Sequence, residues 1–467
     1  MFEKLLKWMR GLLNRLFEDA VGSPDILISG KMESALPMWV AIYESGGPWC
    51  SEKENIHSLG LGPAIAREFS RLVTMESTLT CTGSDRADWL LAQARPLLDA
   101  LPAHVETACA LGGCVFKPYV QGDHIAVDVV QEDCFFPTTF DTSGRMTGAI
   151  FTDQIKRRNT IYTRLEHHEF QNGTETVRNL AFASSTTAQL GREIPLTEVP
   201  EWADLAPEAR IDHLTRPLFA YFRVPTANRT DRHSPLGASV YALAVETIRD
   251  ADIQYGSLLW EYKGGELAID VDAMAIRQAP DGALQMAARD KRLYRHIVNG
   301  NIQLWNTFAP ALRDASYLNG LDAILRRIEF QCGLAYGTIS NPQSVEKTAE
   351  EVRASKQRSY ATVRLIQQAL QDAIDGLFYA MDVYATLYGL APAGAYELAF
   401  DWDDSIVNDP AARKQQFWQY VEAGRFPFER YLVEFEGYSE EEAAQIAAQA
   451  AAGTDTLTFG SLPPGDA

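Results

Sequence analysis

The chain has 467 residues, 46% of them apolar and 10% aromatic, which fills several cores and excludes a disordered or fibrous protein. The length suggests about three domains. With 62 acidic against 42 basic side chains and a formal charge of −20, it is not a nucleic-acid coat, because counterion release on duplex DNA requires clustered Lys and Arg; an acidic wall can nevertheless surround DNA and let it slide.

Residues 1–17 predict a short amphipathic helix, with Leu5, Leu6, Met9, Leu12, Leu13 and Leu16 on one side and Lys4, Lys7, Arg10 and Arg15 on the other. Charges interrupt any signal-peptide core, which leaves docking on the chain's own body or a neighbour, the reading taken here, or binding at a membrane surface. No apolar run reaches the roughly 18 residues of a membrane span. Residues 24–110 read as mainly helical, with amphipathic segments at 63–75 and 87–101. The period then changes. Val115–Val120 and His124–Val130 alternate around Gln121-Gly122-Asp123, and a second hairpin turns at Asn172-Gly173. Residues 191–235 are irregular and Pro-rich, with a strand candidate at 218–224.

A helix is predicted over 237–262 from the spacing of Val240, Leu243, Ile248, Ala251, Tyr255, Leu258, Leu259 and Tyr262, stopped by Gly264-Gly265. Residues 266–317 are mixed, with two short strand candidates, a turn at Pro280-Asp281-Gly282 and a basic cluster of Arg289, Lys291, Arg292 and Arg295. A helix over 317–332 follows, broken by Gly333, Gly337 and Asn341-Pro342. The next helix, 344–388, is the longest element: about 45 residues, on the order of 65 Å. Its second half carries Val363, Ile366, Leu370, Ile374, Leu377, Phe378, Met381 and Tyr384 at buried-face spacing. Its first half, 345–359, has almost no apolar stripe and predicts a face toward solvent, a neighbouring subunit or a polar ligand. A strand over 396–402, a helix around 411–423 and a last helix opened by the capping box Ser439-Glu440-Glu441-Glu442 complete the chain, with a disordered tail expected after Gly453.

The search for chemistry finds no catalytic signature. Gly60-Leu61-Gly62-Pro63 lacks the third glycine of a dinucleotide fingerprint, and Gly30-Lys31-Met32 is not a phosphate-binding loop. His167-His168-Glu169 looks like a metal or acid–base cluster, but adjacent strand residues face opposite ways, so an exposed hairpin strand is expected. Asp401, Asp403, Asp404 and Asp409 could hold Mg²⁺ for a nuclease, yet a solvated strand end is the simpler reading. The six cysteines are dispersed without metal-ligand spacing, which predicts reduced thiols.

The order of elements carries more than any motif. Together with Gly333-Leu334-Ala335-Tyr336-Gly337-Thr338, Val345-Glu346-Lys347-Thr348-Ala349, Ala354-Ser355-Lys356-Gln357-Arg358-Ser359-Tyr360 and Phe400-Asp401-Trp402-Asp403-Asp404-Ser405-Ile406, it resembles the portal proteins of tailed bacteriophages, of the siphophage type. The resemblance implies an α+β portal architecture, mostly helical, with a mixed β wing and a small α/β clip. It places an N-terminal arm and wing at 1–235, a stem helix at 236–262, a clip at 263–316 and a returning stem helix at 317–337. A tunnel loop and the start of the long helix follow at 338–350, the rest of that helix and wing completion at 351–404, and a crown and tail at 405–467. It further implies a homo-oligomeric ring, a dodecamer, at one capsid vertex of the virion, assembled in the host cytoplasm. The ring would be the channel for double-stranded DNA packaging and ejection. Asn341, Gln343, Ser344 and Lys347 would come nearest the duplex, and Arg289, Lys291, Arg292 and Arg295 would face terminase and the head–tail adaptor. Major capsid and scaffold proteins are further implied partners; no cofactor, membrane or enzyme activity is implied. The alternative is a metal-dependent nucleic-acid enzyme using Asp401 to Asp404.

Overall fold

A computed structural model describes residues 26–75, 77–186, 190–266, 268–272, 277–278, 284–285, 294–297, 305–308, 310–342, 349–402 and 410–454. The fold is α+β, and its contacts divide it at Asp401/Trp402 into two compact units. The amphipathic segment expected at 1–17 and the tail beyond 454 lie outside the described residues.

Among the described residues the first unit opens with four helices, α1 (Gly30–Tyr43), α2 (Leu61–Thr74), α3 (Asp85–Asp99) and α4 (Leu101–Leu111), with strand β1 (Ser77–Thr82) after α2. Ser29 caps α1, its hydroxyl accepting from the Met32 amide at 3.2 Å. Met32, Leu36, Trp39 and Ile42 of α1 and Ile65, Phe69 and Val73 of α2 are buried, as their helical spacing requires.

Two antiparallel sheets follow. Strands β2 (Gly113–Gln121) and β3 (His124–Gln131) form the first expected hairpin, with Gln121 opposite His124. Strands β4 (Phe135–Phe140), β5 (Met146–Arg157), β6 (Thr160–Gln171), β7 (Thr174–Ser184), β8 (Arg192–Ile194) and β9 (Glu208–Ile211) build a sheet in the order β4-β5-β6-β7-β8, with β9 also paired to β7. The second expected hairpin is β6–β7. Asn172 and Gly173 both take positive φ, 53° and 82°, the backbone twist that a two-residue hairpin loop favours. Strand β10 (Ala220–Arg223) joins the edge of β2, giving the order β10-β2-β3.

Helix α5 (Val245–Gly264) starts later than its hydrophobic period predicts, after a 3₁₀ turn at Ala242–Ala244. Tertiary contact overrides the local pattern here. The Gly237 backbone lies against Gly112 so closely that a Cβ on Gly237 would sit 1.9 Å from the Gly112 carbonyl. The Val240 amide bonds to the Cys109 carbonyl, and the Tyr241 hydroxyl to that of Trp39. Among the described residues, five short strands follow α5 where two were expected: β11 (Ala268–Asp272), β12 (Arg277–Gln278), β13 (Leu284–Gln285), β14 (Tyr294–Ile297) and β15 (Trp305–Phe308). β11 is central, parallel to β14 and antiparallel to β15, while β12 and β13 pair separately. The predicted turn at 280–282 lies outside the described residues.

Helix α6 (Asp314–Cys332) returns along α5, and α7 (Ala349–Leu387) is the predicted long helix, 39 residues as described, or about 58 Å. Val363, Ile366, Leu370, Ile374, Leu377, Phe378 and Met381 are buried, and Tyr384 partly so. This stripe packs on β10, β2 and α2. Strand β16 (Glu397–Trp402) pairs with β1.

The second unit holds α8 (Pro410–Glu422), α9 (Phe428–Glu436) and α10 (Glu440–Thr454). Phe417 lies 5.0 Å from Phe426 and 4.9 Å from Phe435 between ring centroids, forming a small aromatic core. The capping box is realised: Glu442 accepts from the Ser439 amide at 3.1 Å, and Ser439 Oγ accepts from the Glu442 amide at 3.3 Å.

Candidate functional site

Helices α5 and α6 form an antiparallel pair. Glu261 near the end of α5 accepts from Arg313 beside the start of α6, at 2.7 Å and 3.1 Å, and Gln254 lies beside Tyr317 further along. Each helix carries apolar side chains both buried and exposed. Ile248, Ala251 and Leu258 of α5 and Leu321 and Ile328 of α6 are buried, whereas Ile253, Trp260, Tyr262, Leu318 and Phe330 are exposed, Trp260 by 64% and Phe330 by 57%. Ile253 and Trp260 are seven residues apart and so share one helix face. Exposed aromatic and aliphatic side chains recurring on one helix pair are what a protein-facing surface presents.

In the connection from α6 to α7, residues 333–342 are tightly specified. Gly333 ends α6 in the left-handed region (φ 82°), and a Cβ there would meet Thr362 Oγ1 of α7 at 2.8 Å. The Arg358 guanidinium of α7 lies 4.8 Å from the Phe330 ring and 5.4 Å from Tyr336, a double cation–π clamp across the loop. Glu329, fully buried on α6, accepts hydrogen bonds from the loop amides of Gly337, Ile339 and Ser340 and from the Ser340 hydroxyl. Asn341 is exposed, and its amide donates to Asp322 Oδ1 at 2.7 Å.

Of the residues expected nearest DNA, Asn341 is therefore within the anchored segment 337–341; Gln343, Ser344 and Lys347 lie outside the described residues. Of the basic cluster, Arg295 is in β14 opposite Asp270 of β11; Arg289, Lys291 and Arg292 lie outside the described residues, as do the side chains of the polar start of α7. Asp401 is exposed at the end of β16, and Asp403, Asp404 and Asp409 are not described. Among the described residues no three His, Cys, Asp or Glu are grouped as a metal site requires.

The histidine pair corrects one expectation. His167 and His168 are buried, not exposed, because β6 is an interior strand flanked by β5 and β7. His168 is held between two carboxylates, with Nδ1 2.7 Å from Glu175 Oε1 and Nε2 3.0 Å from Glu166 Oε1. Burial alone would push its imidazolium down, but bonds and charge from Glu166 and Glu175 prevail and raise it to about 9. Burial, with repulsion from His168 and Arg178, pushes His167 down to about 4. Lys117 Nζ is 2.6 Å and Arg164 3.3 Å from Glu166, and the remaining Glu175 oxygen accepts from the Leu218 amide. The group ties β2, β6 and β7 to the segment entering β10; it is a structural ionic knot.

A cleft of about 640 Å³ lies among the β4–β5 turn, β10 and α7, lined by Arg145, Arg216, Arg223, Asp372 and Asp375. Its charges are of both signs, and Arg216 is paired with Asp375. Sequence reasoning missed this cleft, the Glu329 cage and the outward Trp260. A signal for Glu329 exists: a carboxylate in helical register with Leu321, Ile328 and Cys332 stands on a buried face and must be satisfied there.

An α+β body, a helix pair with exposed apolar side chains joined through a small mixed sheet, an anchored loop segment and a very long helix fit a structural assembly protein. A family model described as "Phage portal protein, SPP1 Gp6-like" matches residues 102–455, more than two thirds of the chain. The chain belongs to this family of phage portal proteins, which places it in the bacteriophage virion and in DNA packaging. The family is structural, not one of enzymes, and the nuclease alternative gains no support. No curated protein matched the chain. No helix among the described residues is long and apolar enough to cross a membrane.

Proposed function

We propose that copies of this chain close into a ring at one capsid vertex, a dodecamer as the family resemblance implies, through which double-stranded DNA is packaged and later ejected. The observation that carries this reading is the exposed apolar face of α5 and α6, with Ile253, Trp260 and Leu318 directed away from the chain's own core. A neighbouring copy is the occupant that makes such a face inexpensive to keep. In this reading residues 1–235 are arm and wing, 236–262 and 317–337 the stem and 263–316 the clip. Residues 338–350 are the tunnel loop and the start of the long helix, 351–404 the remainder of that helix and the wing's completion, and 405–467 the crown and tail. Asn341, Gln343, Ser344 and Lys347 come nearest the duplex; Arg289, Lys291, Arg292 and Arg295 face the terminase large subunit and then the head–tail adaptor. Major capsid and scaffold proteins surround the ring during assembly in the host cytoplasm. The acidic composition suits DNA that must slide rather than be gripped.

Trp260 is exposed, so Trp260→Glu leaves the subunit folded and places a charge in the subunit contact. The expected result is a shift from oligomer to monomer by native mass with an unchanged circular dichroism spectrum. An intact oligomer would remove this helix pair from the subunit interface.

A further inference from the structure

We infer that Glu329 is a positioning residue for the channel, acting through the segment 337–341 that carries Asn341; the inference rests on the channel reading above. Glu329 Oε1 accepts from the amides of Ile339 at 2.7 Å and Ser340 at 2.9 Å. Its Oε2 accepts from the Gly337 amide at 3.2 Å and from Ser340 Oγ at 2.9 Å. These four donors come from one segment of four residues. Burying a carboxylate is costly unless hydrogen bonds replace its water. For Glu329, fully buried, that replacement is available when the loop lies where it does. Loop position and carboxylate burial are thus coupled.

A second anchor extends the first. Asp322, seven residues earlier and so on the same face of α6, accepts from the Asn341 amide through Oδ1 at 2.7 Å, while its Oδ2 takes Arg326 at 2.6 Å. The amides of Ile339, Ser340 and Asn341 are therefore tied in succession to two carboxylates of one helix. This fixes the backbone of Asn341 while leaving the residue exposed.

Capping does not explain Glu329. The end of α6 is already closed by Gly333 and by the Leu334 amide on the Glu329 carbonyl at 2.9 Å. The helix itself is held by Leu321, Ile328 and Cys332, all buried. What the carboxylate adds is the placement of the loop.

The test uses the full-length protein carrying Glu329→Gln, with Ser340→Ala as a milder variant that removes one donor should the first assemble poorly. Amide exchange over 337–341 is measured first. Loss of a charge-assisted bond predicts exchange about tenfold faster in Glu329→Gln and a smaller rise in Ser340→Ala. The variants then replace the wild-type protein in infected cells, where packaged DNA per particle is measured alongside native mass and melting temperature. Packaged DNA should fall with ring mass unchanged, and Glu329→Gln combined with Asn341→Ala should be no worse than the more severe single variant, since both act through one loop. Unchanged exchange overturns the anchor itself. Faster exchange with normal packaging, or strictly additive losses, overturns positioning through Asn341. Normal packaging in Asn341→Ala alone rejects the channel assignment of Asn341 and the anchor's role with it, and exchange separately records whether the anchor exists.

Discussion

His168 is the side chain whose chemistry is most constrained by its surroundings. It is 2% exposed between Glu166 and Glu175, with Lys117 and Arg164 on Glu166 and Asp153 3.8 Å from Arg164. With His168 protonated, three cations face three carboxylates, and removing one partner leaves buried charge uncompensated. His168→Ala should therefore cost about 3–5 kcal/mol near neutral pH, read by denaturant unfolding. The folded value near 9 lies above the ordinary histidine value of about 6.5. The folded chain thus holds this proton more tightly than the unfolded chain. Its stabilisation is complete below about pH 6.5 and is lost as pH rises through about 9. Wild-type stability should fall across that window and the variant's should fall less; equal slopes would contradict the assignment of the proton to His168. The sequence showed adjacent histidines on opposite strand faces, which is correct. Their burial was not legible, because it depends on β5 and β7 flanking β6 and on a residue, Lys117, from another sheet.

At the scale of elements, α7 is the longest helix among the described residues of the first unit. At its C-terminal end, Arg86 of α3, 1% exposed, bonds through Nε to the Asp382 carboxylate at 2.8 Å. Its remaining nitrogens bond the Asp382 carbonyl, Thr386 Oγ1 and the Ala391 carbonyl. A guanidinium beside a helix C-terminus complements the helix dipole, and this one ties the last turns of α7 to the Ala391 carbonyl that follows them. Arg86→Ala should destabilise the protein by about 3 kcal/mol or more and accelerate amide exchange in the last turn of α7. Arg86→Lys should not restore it, since one ammonium cannot span four acceptors; full rescue by lysine would mean that charge alone matters. The elements read best from sequence were those with sustained period: the α7 stripe and the two hairpins. The start of α5 was misread because Gly237 is recruited by Gly112, a contact between residues far apart in the chain. Helix α9 went unread although Pro427 precedes it and Gly437 follows in the left-handed region (φ 75°); its nine residues are too few for periodicity to stand out.

For the molecule as a whole, the chain-wide order of elements pointed to portal proteins before any site did, and the family match over residues 102–455 agrees. The functional surfaces were less legible because a subunit contact is written on two copies of the chain at once. The apolar spacing of α5 and α6 reads as core on every side, and only the packed structure separates Leu258 and Ile328, turned inward, from Trp260 and Leu318, turned outward. In the proposed assembly this outward face closes a ring around a DNA channel. Native mass of the purified wild-type protein, combined with electron-microscopy class averages, tests it most directly. The expected result is a single closed oligomer with a central hole wide enough for a duplex; a monomer or compact dimer without a hole at assembly concentrations would overturn the ring.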